Sequence, residues 1–167
     1  MTHPEVWLRG PLPDYIDELQ PVAHSLLQVR EEVSRAAAIP AAQLWARPGG
    51  AASIGFHLKH LAGSLDRLLT YAAGRPLTAA QHEHLAGEER ETGESAETLV
   101  RLAQAAIDRA LTHVRTTPLC TLDEARDVGR QRLPSTVLGL LFHAAEHAQR
   151  HSAQIITTSK IIGASGD

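Results

Sequence analysis

The chain has 167 residues, of which 43% are hydrophobic and 21% are charged, and its formal net charge is −3. This length and composition are ordinary for one soluble globular domain, long enough to bury a core without disulfides. The charge is small and the basic residues are scattered, which excludes the electrostatic footprint of a nucleic-acid-binding protein.

Proline and glycine divide the chain into four helical patterns, and no segment shows the alternation of a strand. Pro21 can occupy the first turn of the first helix, which stops before Pro40. Ser53 and Ser135 are suitable N-caps for the second and fourth helices. The pattern therefore predicts an all-α four-helix bundle, with helices at residues 21–37, 53–73, 96–115 and 135–160.

Two irregular segments connect these helices. Residues 77–95 are polar, are expected to hold a short helix at 79–85, and are long enough for the chain to cross the bundle. Residues 119–134 carry three arginines that can attract an anion, although such a cluster is usually a solvated loop. These are Arg126, Arg130 and Arg132.

Histidines recur four residues apart in the last predicted helix, at His143, His147 and His151. Positions i and i+4 lie one turn apart on the same face, so two imidazoles with this spacing can bind one metal ion. A second pair, His57 and His60, lies in the second predicted helix. Two such helices sharing a core would form a histidine-rich metal site, but spacing alone identifies neither the ligands nor the metal.

The pair His147 and His151 has the spacing of HExxH zinc proteases, but Ala148 stands where those proteases carry the catalytic glutamate. Glu146 precedes His147 and points about 100° away from it on a helix. A protease of that class is therefore a poor interpretation. The remaining histidines are expected to be packing or surface residues and not ligands: His3, His24, His82, His84 and His113.

A polar stripe lies beside the apolar stripe of the second helix. It contains His60, Ser64, Arg67 and Tyr71, and the last three are expected to line a substrate pocket. Arg67 can pair with a substrate carboxylate, or equally form a salt bridge with a neighbouring helix.

The surroundings of the protein are also predicted. The N-terminal segment lacks a signal-peptide pattern, and no uncharged apolar run approaches the ~20 residues of a membrane span. We expect a cytoplasmic protein that contacts neither membrane nor nucleic acid. The single cysteine, Cys120, excludes an internal disulfide and is expected to be a buried or partly exposed structural thiol. Leu69, Leu111 and Ile156 lie off the core stripes, and we therefore expect a homodimer.

The segments SIGFHLKHLAGSLDRLLTYAAG and LPSTVLGLLFHAAEHAQRHSAQI resemble the DinB/YfiT-like superfamily, and the resemblance extends over about residues 19–158. It implies an up-down-down-up bundle that forms one domain over residues 1–167. It also implies one divalent ion, zinc or nickel, held by His60, His147 and His151. His57 and His143 are additional to this pattern, either as alternative ligands or as residues that support the ligands.

Two reactions are compatible with such a site. A water on a cation held by three imidazoles becomes a nucleophile near neutral pH, which is the chemistry of a metal-dependent hydrolase. A coordinated thiol is deprotonated and ready for transfer. The resemblance favours transfer of a low-molecular-weight thiol, such as bacillithiol, mycothiol or glutathione, to a small-molecule substrate. The alternatives are hydrolysis and a non-catalytic metal-binding or dimeric interaction bundle.

Overall fold

The computed structural model describes residues 4–164. In chain order the helices are α1 (Gln20–Val33), α2 (Ala41–Leu44), α3 (Ile54–Ala72), α4 (Ala79–Gly87), α5 (Ala96–Thr116) and α6 (Val137–Ala164), and the strands are β1 (Ala125–Val128) and β2 (Leu133–Thr136). The four long helices are α1, α3, α5 and α6. The predicted four-helix bundle is therefore confirmed, and α4 forms where a short helix was expected.

The four long helices enclose one apolar core, in which α1 and α3 each pack against both α5 and α6. Two contacts give the direction of α1 relative to α6. Gln149 donates to the carbonyl of Ser25 at 3.3 Å, and Ser152 donates to the carboxylate of Glu32 at 2.6 Å. Residue numbers increase together along both helices, so α1 and α6 are parallel.

The opposite order holds between α3 and α6. His57 contacts His151, whereas His60, farther along α3, contacts the earlier residue His147. These two helices are therefore antiparallel.

Helix α5 is antiparallel to α1. Gln104 donates to the carbonyl of Arg30 at 3.4 Å, whereas Tyr15, which precedes α1, donates to the carbonyl of Leu111 at 3.3 Å. The directions are up, down, down and up for α1, α3, α5 and α6, which confirms the topology that the resemblance implied.

The start of α3, which positions two histidines, follows the prediction. The hydroxyl of Ser53 accepts the backbone N–H of Phe56 at 3.1 Å, so Ser53 is the N-cap. Leu58, Leu61 and Leu65 of the predicted apolar stripe are fully buried. Their burial fixes the rotation of α3 about its axis and directs the adjacent polar stripe to one side of the core.

The prediction that the chain has no strands is wrong. Strands β1 and β2 form an antiparallel hairpin in which Ala125 lies opposite Thr136 and Val128 lies opposite Leu133. Each strand has only four residues, and Pro134 lies within β2, so the alternation is too short to show in the sequence.

The predicted cap of the last helix is also wrong. Ser135 lies within β2, and the helix begins two residues later. The hydroxyl of Thr136 accepts the backbone N–H of Gly139 at 3.0 Å and so supplies the cap. The first helix also ends earlier than predicted, at Val33. A separate 3₁₀ helix follows it over Ser34–Ala38.

The positions of other predicted surface and core residues differ as well. Cys120 is exposed, so the expectation of a buried or partly exposed thiol is wrong. Leu111 is only 8% exposed and belongs to the core of the bundle, while Leu69 and Ile156 are half-buried. These three residues do not form an exposed apolar face, although the homodimer itself stays a prediction.

None of the helices within residues 4–164 is both long and apolar enough to cross a lipid bilayer.

The cap of α6 gives a direct test of this local structure. Thr136→Ala should lower the free energy of unfolding by about 1 kcal/mol, because it removes the acceptor for the Gly139 N–H. Ser135→Ala is the matched control and should have a much smaller effect. Chemical denaturation of both variants measures the difference, and equal losses would contradict the assignment of the cap.

Candidate metal centre

Three histidines from two helices meet on one side of the core. His60 of α3 faces His147 and His151 of α6, and one ring nitrogen from each of the three lies within 4.8 Å of the others. Nε2 of His60 and Nε2 of His147 are 3.0 Å apart. The residues that the sequence and the resemblance indicated are therefore brought together, in an arrangement that could hold a metal ion.

His57 lies directly behind this group. Its Nδ1 is 2.8 Å from Nδ1 of His151, and the side chain is buried at 6% exposure. His57 therefore contacts one of the two ring nitrogens of His151. This is the position of a residue that orients a candidate ligand and fixes its tautomer.

His143 lies outside the group, although it is one turn from His147. Its ring is exposed, and its Nδ1 is 3.1 Å from a carboxylate oxygen of Glu146. The rings of His143 and His147 are 5.4 Å apart between centroids. The row of three histidines on α6 thus contributes only its last two members to the three-histidine group.

The protonation of the group suits metal binding. Burial, followed by the neighbouring charge of His60, lowers the pKa of His147 to about 4 and that of His151 to about 3. Burial and His60 likewise lower the pKa of His57 to about 4. These imidazoles are neutral at pH 7, so they carry the lone pairs that a divalent cation needs.

Glu88, just after α4, contacts the candidate site and was not indicated by the sequence. It is only 2% exposed, and its Oε2 accepts from Nδ1 of His60 at 2.6 Å. Its Oε1 accepts from Nη1 of Arg67 at 2.6 Å. Burial alone would raise the pKa of Glu88, but the hydrogen bonds from His60 and Arg67 outweigh it and hold that pKa below its usual value. Because Nδ1 of His60 donates to a carboxylate, Nε2 is the ring nitrogen that faces His147.

A glycine makes room for this carboxylate. A Cβ atom on Gly63 would lie 2.4 Å from Oε1 of Glu88 and 2.7 Å from Nη1 of Arg67. A larger residue at position 63 would force Glu88 or Arg67 to shift. Gly63 therefore leaves the space in which these two side chains meet.

An aromatic ring covers the group from the side. Phe56 stacks on His60 with centroids 5.3 Å apart and an interplanar angle of 20°, and it also meets His151 edge-on. Phe56 lines a cavity of about 170 Å³ together with Trp45 and Arg47. Glu89 and Glu91 also line this cavity, and none of the three histidines does.

The predicted pocket residues do not line one cavity. The Ser64 hydroxyl donates to the carbonyl of Leu61 at 3.2 Å and is buried within its own helix. Arg67 is bound to Glu88, as the salt-bridge alternative predicted. Tyr71 lines a separate cavity at the end of α3. The substrate-pocket roles of these residues stay predictions.

The other histidines of residues 4–164 lie elsewhere in the structure. None of them belongs to the three-histidine group. They are His24, His82, His84 and His113. His3 lies outside the described residues.

Comparisons with known proteins agree with this fold. The sequence model of the DinB superfamily matches residues 25–155 of the chain. Among solved structures, YfiT from Bacillus subtilis, described as a probable metal-dependent hydrolase with an unusual four-helix bundle topology, matches with a TM-score of 0.66. The two proteins are 18% identical, and the match covers 95% of this chain and 97% of that of YfiT. No curated protein matches the chain significantly.

The contact between Glu88 and His60 predicts a metal-affinity phenotype. Glu88→Gln removes the charge that orients His60, and we expect Zn²⁺ affinity to fall about 10–100-fold. Competition with a chromophoric chelator measures the affinity, and thermal unfolding of the metal-free variant reports any loss of fold. Glu89→Gln, an exposed neighbour, is the control and should bind Zn²⁺ normally. Unchanged affinity in Glu88→Gln would contradict the positioning role.

Proposed function

The chain belongs to the DinB superfamily, and on this basis we propose that it is a divalent-metal-dependent enzyme that transfers a low-molecular-weight thiol to a small-molecule substrate. In this proposal His60, His147 and His151 hold the cation, which is zinc or nickel. The proposal is carried by the convergence of one ring nitrogen from each of these histidines within 4.8 Å of the others.

The number of converging donors supports catalysis over a purely structural site. Catalytic zinc sites commonly use three protein ligands and leave a position for water or substrate, whereas structural sites use four. Neither His57 nor His143 belongs to the three-donor group. His57 is engaged with His151, and His143 with Glu146. A three-ligand site with an open position is the arrangement that a reaction needs.

The surrounding carboxylates favour a thiol over water as the nucleophile. Both oxygens of Glu88 are hydrogen-bonded, to His60 and Arg67. Both oxygens of Glu146 are bound as well, to His143 and Arg150. Each oxygen of these two carboxylates therefore already accepts a hydrogen bond from the protein. A thiol, with a pKa of about 8.5, gives up its proton far more readily than water and needs less help from a base.

When bound, a divalent cation supplies a Lewis acid that lowers the pKa of a coordinated thiol or water. The residues of the chain orient the histidines and exclude water. Glu88 holds the proton on Nδ1 of His60, and His57 holds the ring of His151. The ring of Phe56 covers His60 and excludes water from that side.

The small cavity beside Phe56 is the proposed route for the organic part of the thiol. Trp45 and Phe56 provide apolar walls, and Arg47 provides a cation that can pair with a carboxylate. Two carboxylates in the same lining, those of Glu89 and Glu91, can pair with an amino group. Gly55 permits this arrangement, since a Cβ there would lie 2.8 Å from the ring of Trp45. Arg47 donates only one of its N–H groups to a protein acceptor within residues 4–164, the carbonyl of Ala51.

Hydrolysis is the second candidate, and it is favoured by the likeness to YfiT, which is described as a probable metal-dependent hydrolase. In that reaction a water molecule would occupy the coordination position that three protein ligands leave open.

One experiment separates the two candidates. Co²⁺-loaded protein is titrated with glutathione, and we expect a thiolate-to-cobalt charge-transfer band to appear. The loaded protein should then accelerate conjugation of glutathione to chlorodinitrobenzene, in which sulfur bonds to the ring carbon, chloride leaves and the thiol proton passes to solvent. His147→Ala should lose the band and the activity, and His143→Ala should retain both.

The other outcomes decide against thiol transfer. Hydrolysis of p-nitrophenyl acetate without a thiolate band would favour the hydrolase. Neither band nor turnover in protein shown to contain metal would contradict a catalytic role for the site.

A further inference from the structure

A second, larger cavity lies at the opposite end of α3 from His60. Its volume is about 770 Å³, within the range of small-molecule binding sites. One wall is the end of α3 and the connection to α4, and the other is the hairpin of β1 and β2. Tyr71, which lines it, is 11 residues after His60 on α3, or about 16 Å along the helix axis. The cavity is therefore separate from the candidate metal centre.

The walls of this cavity are rich in positive charge, although the chain as a whole carries a formal charge of −3. Four arginines line it, together with His82, and two of the four are used within the fold. Arg126 donates to the carbonyl of Ala72 at 2.7 Å, which neutralises the negative end of α3, and it also pairs with Glu124. Arg132 pairs with Asp127 across the hairpin loop, where Nε and Oδ2 are 2.8 Å apart.

The other two arginines are exposed to solvent and are not paired within the described part of the fold. The guanidinium groups of Arg75 and Arg130 make no hydrogen bond or ion pair with residues 4–164. Arg75 belongs to the wall after α3, and Arg130 belongs to the hairpin loop on the opposite wall. The Tyr71 hydroxyl at the same cavity also lacks a hydrogen-bond partner in this part of the chain. Two unpaired cations and a phenol thus surround one concave space.

We propose that this cavity binds a small molecule carrying a phosphate or carboxylate group, with Arg75 and Arg130 contacting the anion from opposite walls. Guanidinium groups match the geometry of both oxyanions and bind them through paired N–H groups. The Tyr71 hydroxyl supplies a further donor. Because Arg75 and Arg130 come from different segments, a bound anion would join the hairpin to the end of α3 and restrict the motion of both.

The test uses the full-length, metal-loaded protein at an ionic strength of about 0.15 M, where non-specific attraction is largely screened. Isothermal titration with inorganic phosphate and with succinate measures affinity, and thermal unfolding measures stabilisation by ligand. We expect saturable binding of at least one anion. Arg75→Ala and Arg130→Ala should each weaken it about tenfold or more without unfolding the protein. The preferred anion identifies which group the natural ligand carries.

Two controls make the result decisive. Arg35→Ala removes the same charge from an exposed position outside the cavity and should leave anion affinity unchanged. His147→Ala should also leave it unchanged, because the two sites are independent. Absence of saturable binding, an equal loss in Arg35→Ala, or abolition of binding by His147→Ala would each overturn the proposal.

Discussion

The antiparallel contact between α3 and α6 is the constraint on which the candidate site depends. It is the most extensive contact between two helices of the bundle. Leu58 and Leu61 on α3 and Ala148 on α6 are fully buried, and each lies one or two residues from a histidine of the site. Because successive helical residues differ by about 100° in direction, burying these apolar side chains places the neighbouring histidines at the edge of the same interface. The packing of the core therefore determines where the imidazoles lie.

The polar side of the site depends on a second constraint, the burial of Glu88. A buried carboxylate is strongly destabilising unless it is paired, and breaking such a pair by removing one partner costs about 3–5 kcal/mol. Here His60 and Arg67 supply the partners, and Gly63 supplies the space. The crossing segment with α4 therefore does more than connect α3 to α5. It brings a carboxylate over the face of α3 and fixes which nitrogen of His60 faces the other two histidines.

The sequence was sufficient to predict those features that depend on the spacing of residues along one face of a helix. Periodicity predicted the long helices, and the spacing of His147 and His151 together with the family resemblance indicated the three converging residues. The sequence was insufficient where contacts between distant segments determine the position of a residue. Glu88 is one of several acidic residues in a polar segment, and nothing local distinguishes it. Periodicity also placed Tyr71 on the same helix face as His60. About 16 Å of helix separates the two residues, so Tyr71 lines a different cavity. The hairpin was missed because four-residue strands carry too little pattern.

We propose that three histidines from α3 and α6 hold one divalent cation, and X-ray absorption of Zn²⁺-loaded, tag-free protein is the decisive measurement. We expect one zinc per chain with three imidazole ligands, and loss of this signal in His60→Ala, His147→Ala and His151→Ala. His143→Ala should keep both the stoichiometry and the ligand number. Binding of zinc that survives His60→Ala, or that is lost in His143→Ala, would show that other residues hold the ion. Failure of the unmodified protein to bind zinc would likewise exclude the three-histidine site.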